Sequence, residues 1–173
     1  MPQVLLRAPT VEYAEAFIRL VRLSRERDRW RATPPGTKRQ FAGYVARSQR
    51  PDFDGRLVCL KATGEPLGMV NASQIYRGGF RSAYLGYWIG APFEGKGLMR
   101  EGVALMLNRV FGVLRLHRIE ANIQPKNRRS LALAKALGFR REGFSPRYLK
   151  FDGVWRDHVR FAITVEDWRA QRR

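Results

Sequence analysis

From residue 117 to 124 the chain alternates, with Ile119, Ala121 and Ile123 on one side and Glu120, Asn122 and Gln124 on the other. A period of two predicts a strand with one face buried. Further upstream the period lengthens. Met99, Val103, Met106, Leu107 and Val110 recur at helical spacing, so a helix with that stripe in the core is expected there. Residues 3–8 suit a short first strand, and Thr10 can cap a helix with Phe17, Leu20 and Val21 turned inward. The Thr-Pro-Pro-Gly-Thr stretch at 33–37 is a break. A second helix is expected over roughly 38–49, with Phe41, Tyr44 and Val45 on one side. Residues 56–62 and 64–76 read as two strands joined by a turn near 63–66, and 83–90 as a fourth. Asn127 starts a short helix that stops at Gly138. Two last strands, about 139–150 and 154–163, meet at a Phe-Asp-Gly-Val hairpin turn. The charged end from Arg169 onward reads as solvated and frayed.

The resulting order is strand, two helices, three strands, helix, strand, helix, two strands. It is a mixed α/β pattern, unlike a doubly wound dinucleotide fold. At 173 residues one domain, 1–173, is expected, and 45% apolar content suffices for a real core. No apolar run approaches the 18 or so residues of a membrane span. The opening MPQVLLRAPT lacks a secretory pattern. A single cysteine gives neither a disulfide framework nor a metal spacing, and two distant histidines lack the HExxH arrangement. A cytoplasmic protein without a metal is expected.

Charge adds a further constraint. With 33 basic and 15 acidic residues the net charge is +18, which should attract polyanions such as nucleic acid, ribosomes or acidic peptides. Only six of the basic residues are lysine, and heavy arginine use can equally reflect genome composition. The same charge opposes encounter with a polycationic substrate such as a polyamine.

The candidate chemistry begins at residues 93–99, FEGKGLM, between a predicted strand and a predicted helix. Glycine admits positive φ and close approach to the backbone. A helix start offers unpaired N–H groups and a positive dipole end. Together they suit an anion, most often phosphate. The spacing is neither GxGxxG nor GxxxxGK[ST].

The stretches YRGGFRSAYLGYWIG, FEGKGLM, HRIEANIQPKNRRSLALAKALGF and YLKFDGVWRDHV resemble the GCN5-related N-acetyltransferase (GNAT) superfamily. Within it the chain is similar to the ribosomal-protein alanine N-acetyltransferases of the RimJ and RimL type, more closely to the RimJ kind. The resemblance covers residues 76–163; the first 60 match only in element order. It implies a central, mostly antiparallel mixed sheet, flanked by helices and splayed where strand four, around 87–90, parts from strand five, around 120–122. It also implies acetyl-CoA as co-substrate. The family's acyl-CoA loop, Gln/Arg-x-x-Gly-x-Gly/Ala, falls on Glu94, Gly97 and Met99. The central glycine is kept and the outer two positions depart. Met99 must turn into the core, and Glu94 is expected to point outward, away from a pyrophosphate.

The resemblance implies that main-chain N–H groups of Gly95, Lys96, Gly97, Leu98 and Met99 hold the coenzyme A pyrophosphate. Lys96 and Arg100 either add charge there or are solvated loop cations. The pantetheine arm would lie against Trp88 and Ile89, with Asn122 on the facing strand. Tyr87 and Trp88 are pocket lining or ordinary strand aromatics. Asn127 is a good helix cap, and by resemblance also a contact of the cofactor arm. Ser130 sits at the third position of that helix, and by resemblance lies near the sulfur, where it could protonate the departing thiolate.

A general base is less evident. A free α-amine, with a reference pKa near 7.7–8.0, is partly neutral already; a lysine near 10.4 needs about three more pKa units, roughly 4 kcal/mol. The fourth strand carries no carboxylate. Glu120 is the remaining candidate base, or else a strand charge paired with arginine. Tyr148 is a candidate acid or peptide contact, on a final hairpin that in this family walls the acceptor site. The early helices and the 31–37 loop are expected to form the other wall. Asp157 and His158 face opposite ways and cannot form an acid–base pair.

Transfer of acetyl to a protein N-terminal α-amine by direct attack, with a ribosomal protein as plausible acceptor, is the expected activity. Acetylation of a small amine and non-catalytic binding to RNA or the ribosome are the alternatives.

Overall fold

A computed structural model describes residues 2–24 and 33–171. Strands β1 (Val4–Arg7), β2 (Phe53–Leu60), β3 (Pro66–Tyr76), β4 (Ser82–Ile89), β5 (Arg118–Ile123), β6 (Arg140–Phe151) and β7 (Val154–Thr164) form one sheet in the order β1-β2-β3-β4-β5-β7-β6. Every neighbouring pair is antiparallel except β4 and β5. These two run parallel and pair only from Ser82–Arg118 to Tyr84–Glu120. Beyond that point β4 stays laddered to β3 as far as Ile89, and β5 to β7 as far as Ile123. The sheet therefore divides into two halves joined at a narrow root. The split begins after Tyr84, slightly before the expected position on β4, and Glu120 still belongs to the paired part.

Alternation along the strands assigns the two faces. Helices α3 (Leu98–Gly112) and α4 (Arg128–Ala136) cover one of them. There the stripe Met99, Val103, Met106, Leu107 and Val110 packs against Val58, Val70, Leu85 and Ile119. Helices α1 (Ala14–Ser24) and α2 (Lys38–Arg47) cover the other at β2 and β3, where Phe17, Leu20 and Phe41 meet Leu57, Met69 and Trp88. Leu57, Val58 and Cys59 alternate between the two cores, as a period of two requires. Asp54, buried, takes Arg56 at 2.7 Å and Arg109 at 2.5 Å, and so fastens α3 to β2.

Several sequence-based boundaries move. A 3-10 turn over Val11–Tyr13 precedes α1, and the Thr10 side chain makes no cap bond. Thr37 caps α2 instead, accepting from the Gln40 N–H. Strand β2 starts at Phe53, three residues ahead of the expected 56. The hairpin turn between β6 and β7 is as expected, with Asp152 and Gly153 at φ of 48° and 77°. Both positive angles are the signature of a tight turn that matches strand twist. A helix the sequence reading missed, α5 (Val165–Ala170), follows β7, started by a reciprocal capping box between Thr164 and Asp167. It takes in Arg169 and Ala170 of the expected frayed end, which are exposed as expected. Trp168 of α5 is buried and its indole N–H donates to Asn108 Oδ1 at 3.1 Å.

Among the described residues no helix is long and apolar enough to cross a membrane.

Candidate active site

Where β4 and β5 separate, a cleft of about 850 Å3 opens. Tyr84 and Asn122 lie at its root, the loop ahead of α3 at its mouth, and Asn127, Ser130 and Leu133 along the α4 side. Tyr148, Phe151 and His158 of the last hairpin line it as well.

The mouth is built by the glycines. Gly95 and Gly97 have φ of 74° and 76°, a left-handed conformation that a side chain disfavours. Gly97 is the N-cap of α3 and supplies no side-chain cap. The first intrahelical bond runs from the Glu101 N–H to the Gly97 carbonyl at 3.3 Å. The N–H groups of Leu98, Met99 and Arg100 precede it and are ones a helix cannot satisfy internally. A Cβ placed on Gly95 or Gly97 would meet nothing within 4 Å. Open space thus lies directly against these amides. Leu98 and Met99 turn into the core, while Lys96 and Arg100 are exposed, with the Lys96 ammonium 5.9 Å from the centre of the Phe93 ring.

Glu94 differs from the expectation. Its side chain is only 8% exposed, lines the cleft, and is ion-paired with Arg129 of α4. The departure from Gln/Arg at this slot is balanced by Arg129, the third residue of the Asn-Arg-Arg-Ser-Leu run, a partner that no local pattern reveals. The pair ties the loop to α4 across the cleft mouth.

Asn127 caps α4: its Oδ1 accepts from the Ser130 N–H at 3.2 Å. Ser130 is half-buried and faces the cleft. Asn122 lines the cleft from β5, and its Oδ1 is buried with no hydrogen-bond partner among the described residues. Trp88 is buried and also reaches the cleft, as does Ile89.

Register places the polar groups at the root on one face. Tyr84 opposes Glu120, and Asn122 opposes Arg160; paired residues share a face. This is the face of Trp88, opposite α3 and α4. Glu120 is buried there, with Arg118 at 3.0 Å on one oxygen and Arg160 at 3.1 Å on the other. Both lone-pair regions are engaged, and Glu120 is absent from the cleft lining. The Arg160 guanidinium also lies 5.3 Å from the centre of the Tyr148 ring. Burial, then the Tyr148 hydroxyl beside it, pushes the Tyr84 phenol above its ordinary value.

The arginine network continues outward. Arg118 also holds Glu142, and Arg140 reaches the same carboxylate at 3.0 Å. Chiefly through Arg118, the Glu142 pKa falls from 4.5 to about 2. A lowered folded-state pKa stabilises above the unfolded value and is lost as pH falls. Glu142→Gln should therefore lower Tm at pH 7 by about 2–4 °C, from roughly 1 kcal/mol for a partly exposed network. The deficit should disappear in thermal melts between pH 4.5 and 2.

Other lining residues escape sequence reasoning. Gln74, at φ 51° in a bulge of β3 between Ser73 and Tyr76, reaches the root of the cleft, and nothing in its local pattern marks it. His158 is 1% exposed. Its partner in the Asp157–His158 pair turns away and accepts the Arg147 N–H at 2.8 Å. Of the expected second wall, residues 31 and 32 lie outside the described ones.

The features that test for coenzyme A agree with it: open space against left-handed glycines, amides at a helix start, a buried amide oxygen at Asn122, and an elongated cleft between two strand edges. Among the described residues no group of three His, Cys, Asp or Glu could hold a metal ion.

Comparison with known proteins adds independent information. The acetyltransferase (GNAT) domain model matches residues 3–140. The ribosomal protein uS5-alanine N-acetyltransferase of Escherichia coli K12 is 45% identical over 104 residues, 60% of this chain and 54% of the relative. The chain thus matches about half the length of that relative. Mycobacterium smegmatis RimJ, solved in complex with CoA-disulfide, superposes with a TM-score of 0.86 at 31% identity, over 95% of this chain and 83% of that one. The ribosomal-protein-S5-alanine acetyltransferase of Vibrio fischeri gives 0.82 at 28% identity, over 97% and 96%. A parallel pair that splits onto a glycine loop, matched by the domain model over most of the chain, makes this protein a member of the GNAT acetyltransferase family.

Proposed function

We propose that the protein transfers the acetyl group of acetyl-CoA to the N-terminal α-amine of a protein, with a ribosomal protein as acceptor. The observation that carries this reading is the split of β4 from β5, which ends on the left-handed glycines of the α3 N-terminus. A diphosphate at those amides sends an extended arm down the cleft, and the thioester arrives near the root. The relatives named for uS5 alanine acetylation support the choice of acceptor class.

Acetyl-CoA supplies an activated acyl group, and the chain supplies position. Amides at residues 95–99 orient the diphosphate. The Trp88 and Ile89 main chain lies beside the arm, and a β4 amide there polarises the thioester carbonyl. Holding amine and acyl carbon together removes several kcal/mol of barrier. Ser130, facing the cleft from the first turn of α4, protonates the thiolate. Tyr148 contacts the acceptor, its ring fixed by Arg160. Glu120 has no base role in this reading, because both its oxygens already serve guanidinium groups.

Incubation with labelled acetyl-CoA and a ribosomal extract, followed by mass spectrometry of protein N-termini, tests the proposal. Label on one or a few N-terminal α-amines is expected. Faster labelling of internal lysines, or label found only in small amines, would overturn it.

A further inference from the structure

The acceptor amine must shed a proton before it attacks, and neither the carboxylate that lines the cleft, Glu94, nor Glu120 behind its root serves. Glu94 is held by Arg129, and Glu120 by two arginines. One titratable group at the cleft has a lone pair with no such cation on it. His158 is almost wholly buried, lines the cleft, and has its Nδ1 at 2.9 Å from the Arg156 carbonyl oxygen. A carbonyl only accepts, so Nδ1 carries the hydrogen and donates. In the neutral ring the lone pair is then on Nε2. Tyr148 and Phe151 fix the ring, with centroids at 6.1 and 5.8 Å.

We propose that His158 is the proton acceptor for the incoming α-ammonium, with Arg156 setting its tautomer and the Tyr148 and Phe151 rings its orientation. The assignment rests on the acetyl-transfer reading. His158 follows Val159 in the register, one step beyond the Ile123–Val159 pair, and shares its face with Arg160 and Asn122. This is the face across which the last hairpin closes on the cleft, away from α3 and α4. The proton balance closes there. The ammonium gives one proton to Nε2, and the imidazolium releases it to water. The N–C bond forms and the C–S bond breaks. The second amine proton passes to water as the amide forms, and Ser130 gives its hydroxyl proton to the thiolate and regains one from water, so that one proton in all is released.

The surroundings keep the ring neutral and ready. Burial is the main influence lowering the His158 pKa, opposed by the Arg156 carbonyl and by Asp157. Facing groups on β6 are Tyr148 and the apolar Phe151. On β5 they are Glu120, Asn122 and Gln124, on β4 Tyr84, and on β7 itself Arg156 and Arg160, with Asp157 on the opposite face. Glu120, an acidic group on that face, is bound by Arg118 and Arg160.

The test compares wild type and His158→Gln across pH, with acetyl-CoA and a peptide beginning with alanine. Glutamine accepts a hydrogen bond but does not titrate in this range. At pH 7 kcat/KM should fall about 5–10-fold, the most that supplying the neutral amine can give for a group of pKa near 7.7–8.0, with acetyl-CoA binding unchanged by calorimetry. The deficit should shrink above pH 8, where the free amine is already neutral. A deficit of equal size at every pH, or none, would overturn the assignment. A wild type that binds acetyl-CoA but transfers nothing to the peptide would overturn the α-amine reading and the base with it. Should His158→Gln fail to fold, nitrogen NMR of the wild-type imidazoles decides. The chain has two histidines, and His117→Gln identifies the other signal. A bare Nε2 that shifts when the peptide is added is expected; an Nε2-protonated ring would refute the proposal.

Discussion

Gly97→Asp should raise the Kd for acetyl-CoA about a thousandfold while leaving the fold intact. Two effects separate cleanly at this position. Gly97 has φ 76°, which aspartate and asparagine tolerate better than other side chains, at a strain of roughly 1 kcal/mol. A Cβ there meets nothing within 4 Å, so the substitution requires no repacking. As the N-cap of α3, which now has no side-chain cap, aspartate is itself a favoured residue. The damage is electrostatic. A carboxylate about 4 Å from a diphosphate, in partly screened surroundings, costs roughly 4 kcal/mol. Gly97→Asn has nearly the same shape and strain but no charge, and should lose only about tenfold. Calorimetry with acetyl-CoA, alongside thermal melts, reads both. Equal losses for the two variants would mean that no anion sits at this loop.

How the sequence revealed this site follows from the range of the interactions. The alternation of β5, the stripe of α3 and the Asp-Gly turn are local, and each was legible because its cause lies within a few residues. The glycine loop was legible for the same reason: its conformation is written in Gly95 and Gly97. Glu94 was misplaced because its counter-ion, Arg129, arrives from another element. Glu120 left two readings open for a similar reason. Only the pairing of β5 with β7 brings Arg160 to its second oxygen. With Asp157 and His158, alternation correctly sends the two side chains apart, but it cannot say which goes inward. That choice is made by register, which sets Val159 against Ile123 and so turns His158 to the face lined by Tyr148. Helix α5 was the exception, a local signal overlooked. Thr164-Val-Glu-Asp167 is a capping box that starts a helix just ahead of the basic residues of the chain end.

Phe17→Ala should remove about 3–5 kcal/mol of stability, a large part of the 5–15 typical of a domain. Phe17 is fully buried in the smaller of the two cores, with ring centroids 5.4 Å from Phe41 and 5.5 Å from Trp88. Its neighbours come from α1, α2 and the sheet, so no single element can close the cavity by a small shift. Tm should fall by roughly 6–20 °C. The loss should also reach the cleft unevenly. Trp88 would lose its packing partner on the α1 side, while the glycine loop is held by the other core, through Leu98 and Met99. At a temperature where the variant is still folded, the thioester end of the cleft beside Trp88 should therefore loosen while the diphosphate loop keeps its shape, so kcat should fall more than KM for acetyl-CoA rises. A variant with wild-type Tm, or one in which KM for acetyl-CoA rises as much as kcat falls, would show that the two faces of the sheet are not the separate supports their packing describes.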